Sequence, residues 1–133
     1  MKKIFFGLYL SCCIAGLQAQ DNEVKVPFDT IANAIAAGDA DAIATYFSNT
    51  MECVLLNEEG TYSKVQAMLA FKNFLKKHPP KSFSFKHSST KQVIKYAVGI
   101  MQTQNGNALR VTVFLKQENG IMKIRQLRIE SEE

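Results

Sequence analysis

The stretch Tyr62–Pro80, YSKVQAMLAFKNFLKKHPP, decides the fold. Ser63 followed three residues later by Gln66 is a capping box, in which the Ser63 hydroxyl accepts from the Gln66 N–H and the Gln66 side chain accepts from the Ser63 N–H. Tyr62 stands at the staple position before the cap. Behind it, Val65, Met68, Leu69, Phe71 and the pair Phe74/Leu75 recur at i, i+3, i+4 spacing and form an apolar stripe. Lys76, Lys77 and His78 sit at the negative end of the helix dipole. Pro79-Pro80 forbids continuation. A helix with one apolar face needs a second layer to bury that face against.

That layer follows directly. Everything after Pro80 reads as antiparallel sheet. Phe83, Phe85 and His87 alternate on one face of a strand, and Ile94, Tyr96, Val98 and Ile100 on one face of the next. Asn105-Gly106 predicts a two-residue type I′ hairpin. Leu109, Val111, Val113 and Leu115 alternate after it, and Asn119-Gly120 repeats the hairpin signal. In the last strand the apolar phase changes from Met122 and Ile124 to Leu127 and Ile129, which predicts a β-bulge near Arg125–Gln126. With Val111 and Val113 facing the helices, Thr112 and Phe114 face outward. With Ile94–Ile100 also facing the helices, Ala97, Gly99 and Met101 fall on the outer side. Ala97, Met101 and Phe114 are therefore expected to form an exposed apolar interface.

Upstream, Pro27 suits a first helical turn. Phe28, Ile31, Ala32 and Ile35 recur at helical spacing, and Gly38 ends the segment. Asp39 or Asp41 caps a second short helix expected to carry Ile43, Tyr46 and Phe47. Met51–Leu56 is a β-rich run, and Asn57-Glu58-Glu59-Gly60 reads as its turn.

Residues 1–19 read as a secretory signal peptide: Lys2 and Lys3, an apolar run from Ile4 to Leu17, and Ala19 before a cut at Gln20. The run is short for a membrane span, so the expectation is an exported protein, periplasmic or secreted, with no span. Cys12 and Cys13 offer the alternative of a lipoprotein anchor. However, Tyr9 stands where Leu is wanted before Cys12, and Cys12 stands where a small residue is wanted before Cys13. The chain has 16 Lys and Arg against 12 Asp and Glu; losing Lys2 and Lys3 leaves 14 against 12, a net charge of +2. A charge that small does not argue for nucleic acid or an anionic membrane. Cys53 alone would remain, so stability rests on a packed core, and residues 20–133 read as one domain.

The order helix, helix, strand, helix, strand meander resembles the nuclear-transport-factor-2-like, or cystatin-like, α+β cone over residues 26–130. More narrowly, Tyr62-Ser63-Lys64-x-Gln66-Ala67, Gly99, the Asn105-Gly106 hairpin and Leu127-Arg128-Ile129-Glu130 resemble a secreted bacterial family known as domain of unknown function 4783. The resemblance implies a curved antiparallel sheet wrapped on N-terminal helices, and pairing through the sheet. It implies no activity.

Superfamily enzymes use a base in an apolar pocket and a donor for the developing oxyanion. Here the residues that would line the cone are Tyr46, Tyr62, Phe85, His87 and Tyr96. His87 with a tyrosine is the one acid–base pair worth naming. Glu52 and Glu130 read as solvent-facing or paired, and Cys53 as a buried thiol. Cys53, His78 and His87 lack metal-ligand spacing, no phosphate loop occurs, and no cofactor is implied. The lysines from Lys72 to Lys91 read as a solvated face. The expectation is a non-catalytic domain that binds a small apolar ligand in the cone or a protein partner through the sheet. The alternatives are an isomerase- or dehydratase-type enzyme using His87, and a structural homodimer.

Overall fold

The computed structural model describes residues 25–132. The expected signal peptide, its cut at Gln20, and Cys12 and Cys13 lie outside the described residues. The elements are α1 (Phe28–Ala36), α2 (Ala40–Ala44), β1 (Phe47–Leu55), β2 (Glu58–Ser63), α3 (Lys64–Lys77), β3 (Pro80–Ser89), β4 (Lys95–Thr103), β5 (Ala108–Glu118) and β6 (Ile121–Ser131). The strands form one sheet in the order β2-β1-β6-β5-β4-β3. Every neighbour is antiparallel except β1 with β6, which run parallel. All three helices cover the same face of the curved sheet: α1 over β3, α3 over β1 and β2, and α2 between α1 and α3.

The capping box forms as the sequence predicts. Gln66 N–H donates to Ser63 Oγ at 3.2 Å, and Ser63 N–H donates to Gln66 Oε1 at 3.0 Å. The buried stripe of α3 is rotated from the predicted one. It consists of Ala67, Phe71, Phe74 and Leu75, while Val65 and Leu69 are 61% and 51% exposed. The small Ala67 lies on the side where the helix approaches its neighbours, which turns Val65 and Leu69 outward. Asp39 caps α2 by accepting from Ala42 N–H at 3.0 Å. That helix ends at Ala44, so Tyr46 lies in the connection and Phe47 opens β1. Glu58–Gly60 is not a turn. Leu56-Asn57 makes the turn, and Glu58–Ser63 adds an edge strand that the sequence hid. Its exposed, Glu-rich residues carry no apolar alternation.

Two hairpins and two bulges set which side chains face the helices. Asn119 (φ 51) and Gly120 (φ 79) form the expected two-residue turn, with Glu118 opposite Ile121. The predicted bulge in β6 is present: Leu115 pairs with Ile124 but Phe114 with Gln126, so Arg125 is the extra residue. The β4–β5 hairpin differs from the expectation. Its loop holds three residues, 104–106, with Thr103 N–H donating to Asn107 O at 2.9 Å and Gly106 N–H to Thr103 O at 3.1 Å. Gly106, at φ 87, takes the left-handed position that such a loop requires. One more loop residue slips the register by one and exchanges the faces of β4. Ala97 now lies opposite Val113 and Met101 opposite Leu109, on the helix side.

The helix-facing side is filled. Phe47, Phe71, Ile31, Ile35, Ile43, Met51, Met101 and Leu115 are each less than 2% exposed. Phe28 of α1 meets Phe85 edge-on at 5.8 Å, and Phe85 meets Phe83 at 4.9 Å, which fastens the first helix to the edge strand β3.

Candidate functional site

The five residues expected to line the cone do not converge. Tyr62 lies opposite Met51 on the helix side, where its ring covers Gly60. Tyr46 and Phe85 pack against the core from opposite ends of the helical layer, Phe85 beneath Phe28. His87 and Tyr96 are on the other side of the sheet. The reason for His87 is a bulge: Phe85 pairs with Gly99 but His87 with Val98, leaving Lys86 as the extra residue. The bulge reverses the alternation, so His87 is exposed on the face that carries Val98, away from Tyr46 and Tyr62. Tyr96 changes side through the register of the β4–β5 hairpin.

The same register corrects the expected interface. Ala97 and Met101 are fully buried against the helices, whereas Phe114 does face outward. The residues that join Phe114 are those the sequence placed inside. Thr61, Glu52, Gln126, Phe114, Tyr96 and Ser89 lie opposite one another in one row across all six strands. The next row runs Glu59, Val54, Arg128, Thr112, Val98, His87. Tyr96 and Phe114 face each other with ring centroids 6.2 Å apart. Ile94 and Tyr96 are 41% and 38% exposed, which is high for large apolar side chains.

Over this row lies a cavity of about 360 Å³. Phe114 and Ile94 form one wall, Thr50, Glu52 and Thr61 the other, and Lys116, Arg125 and Gln126 complete it. Arg125 is held by Glu118 at 3.8 Å, and Glu118 also accepts from the buried Ser48 hydroxyl. The loop bearing Ile94 is tied down by Lys95, whose ammonium donates to the Thr90 and Gln92 carbonyls. The sequence pattern places Ile94 on the helix side and marks Arg125 and Gln126 only as a bulge, so neither they nor Lys116 read as part of a site. Reading Gly106 as the left-handed third residue of the loop would have put Tyr96 beside Phe114 and so revealed the row.

The chemistry of this face is adhesive. His87 is exposed, and the half-buried Tyr46 and Tyr62 lie on the other side of the sheet. Glu52 is exposed. Cys53 is 1% exposed, and burial pushes its thiol up to about 11, away from the thiolate that reactivity needs. Among the described residues no group of three or more His, Cys, Asp or Glu could hold a metal ion. No helix among them is long and apolar enough to cross a membrane.

Comparisons with known proteins agree with this architecture. The family model for DUF4783, a domain of unknown function, matches residues 28–130. No curated protein matches the chain. Among solved structures, a DUF4783 family protein from Bacteroides uniformis superposes with a TM-score of 0.76 at 21% identity, covering 82% of this chain and 99% of the other. One from Bacteroides ovatus gives 0.73 at 23% identity, covering 78% and 94%. A protein of the NTF2-like family from Streptomyces avermitilis gives 0.57 at 9% identity, covering 79% and 90%. At these identities the likeness is one of fold, the NTF2-like cone.

Proposed function

The chain belongs to the DUF4783 family, and from that premise we propose that it is an exported, non-catalytic binding module whose working surface is the outer face of its sheet. The observation that carries the proposal is the row of outward side chains centred on Tyr96 and Phe114. Ligand binding inside the cone loses support because large buried side chains occupy the helix-facing side. The His87 reading loses support because His87 is exposed on the outer face with Tyr96, outside the cone, while Tyr46 and Tyr62 pack on the helix side.

The occupant we propose is a second copy of the chain. A two-fold contact needs a self-complementary face, since each residue meets its counterpart across the axis. This face has an acidic edge, with Glu52 and Glu59 on β1 and β2. Its opposite, basic edge carries Lys86 on β3, while Arg110 stands on the central strand β5 and pairs with Glu132 at 3.7 Å. Val54, Thr112, Phe114, Tyr96, Val98 and Ile100 lie between them. An axis through β5 and β6 brings the acidic edge of one copy onto the basic edge of the other and buries the apolar band.

Light scattering of the parent against Phe114→Glu tests this, with a dimer expected for the parent and a monomer for the variant. A parent that stays monomeric at high micromolar concentration overturns it. Export rests on the Lys2/Lys3, apolar-run and Ala19 pattern. The intact mass of native protein is expected to lack the first 19 residues or so. A start at Cys12 or Cys13 with added acyl mass would replace export of a free protein by a membrane anchor.

A further inference from the structure

Four segments meet at one end of the sheet: the C-terminal half of α3, the β1–β2 turn, the β4–β5 loop and the end of β6. Two adjacent cavities open there, of about 460 Å³ and 310 Å³. Leu56 and His78 line both and form the ridge between them. Both ridge residues are unusual. Leu56 has φ 58, a conformation that suits glycine and that a bulky side chain seldom adopts. Its N–H donates to Ile129 O at 2.8 Å, which fixes the turn, and its side chain packs on the core. A positive φ is what the first position of a two-residue hairpin turn requires, so the turn holds Leu56 on the ridge. His78 stacks on Phe74 with centroids 4.6 Å apart, and its Nδ1 is buried with no hydrogen-bond partner.

The larger cavity has an apolar floor of Leu55, Ala70 and Phe74. Its rim carries two opposite charges, Glu58 from β2 and Lys77 from α3. Neither belongs to any ion pair among the described residues. Asn57 stands on the Glu58 side and Asn73 on the Lys77 side. The volume falls in the ordinary small-molecule range, roughly 300–1,000 Å³.

We infer that this cleft binds short zwitterionic peptides with apolar side chains. The carboxylate meets Lys77 and Asn73, the ammonium meets Glu58 and Asn57, and the side chains cover Leu55, Ala70 and Phe74. The site is separate from the outer sheet face, so it stands or falls independently of the homodimer.

The test is titration of the ¹⁵N-labelled protein with leucylleucine at low salt, followed by amide NMR. Shifts are expected to cluster at residues 55–58 and 70–78. N-acetyl-leucylleucine and leucylleucinamide, each lacking one charge, are expected to bind more weakly by about three- to fivefold, the size of an exposed ion pair. Glu58→Gln weakens leucylleucine but leaves the acetylated probe unchanged, and Lys77→Met does the same for the amide probe. Leu56→Gly keeps the turn but removes the ridge, and weakens all three probes. Absence of shifts in the cleft at millimolar peptide, or equal binding of leucylleucine and both blocked probes, overturns the inference.

Discussion

Gly99→Ala probes the geometry on which the whole outer face depends. Gly99 lies on the helix side of β4, opposite Phe85 and two pairs away from Met101–Phe83. A Cβ built on it would stand 2.2 Å from the Ser84 carbonyl oxygen and 2.7 Å and 2.9 Å from two carbons of the Phe83 ring. The ring can tilt. The carbonyl belongs to the paired backbone of β3 and can retreat only if the strands separate beside the Lys86 bulge. Overpacking of this kind typically costs about 1–3 kcal/mol. Removing a glycine also stiffens the unfolded chain, which offsets about 0.4–1 kcal/mol. The net expectation is a loss of about 1–2 kcal/mol. With a urea slope of about 1–3 kcal/mol per molar, the unfolding midpoint falls by roughly 0.5–1 M. The double variant Phe83→Leu/Gly99→Ala separates the two contacts. It relieves the ring but not the carbonyl, so it recovers only part of the loss beyond that of Phe83→Leu alone. A Gly99→Ala midpoint within about 0.2 M of the parent would refute the reasoning. It would mean that β3 and β4 are not held at the spacing that turns Tyr96 and His87 outward.

The capping box and the core give a paired expectation: Ser63→Ala loses about 1 kcal/mol and Phe71→Ala about 3–5 kcal/mol in urea melts, and equal small losses would contradict the packing of α3. Because burial raises the Cys53 thiol from 9.0 to about 11, the unfolded chain ionises first as pH rises. The contribution is intact below pH 9 and is lost towards pH 11, by up to about 1.4 kcal/mol per pH unit relative to Cys53→Ala. Parallel pH profiles for the two proteins would refute this. A thiol reagent at pH 8 should likewise modify the folded parent only as fast as it unfolds.

Local chemistry was legible where one residue type decides one conformation. The Ser63/Gln66 box, the Asn119-Gly120 turn and the phase change at Arg125 were read from a few residues each, and the helix–strand order sufficed for the cone. What failed were features set by register. Asn105-Gly106 reads as a two-residue turn, yet the three-residue loop ending on Gly106 wins and moves Ala97 and Met101 inside. Phe85-Lys86-His87 alternates in sequence without a break, so the bulge that exposes His87 leaves no trace there. The edge strand Glu58–Ser63 was hidden because it buries little and needs no apolar pattern. The outer row follows from these registers, which is why Phe114 was found alone and its companions Tyr96, Val98 and Ile94 were assigned to the wrong side.

The parallel pairing of β1 with β6 has a consequence for how the chain reaches this state. Strands β3 to β6 form a meander whose contacts are local, and β1, β2 and α3 form a second local unit. Within the sheet β6 alone joins them, placing Leu55 beside Ile129 and Cys53 beside Leu127. The unit of β1, β2 and α3 therefore cannot complete its sheet until the last strand emerges from the ribosome, and until then β1 offers an open hydrogen-bonding edge. Such long-range closure is slow compared with hairpin or helix formation. A chain built in this way closes its sheet only after its final strand is made.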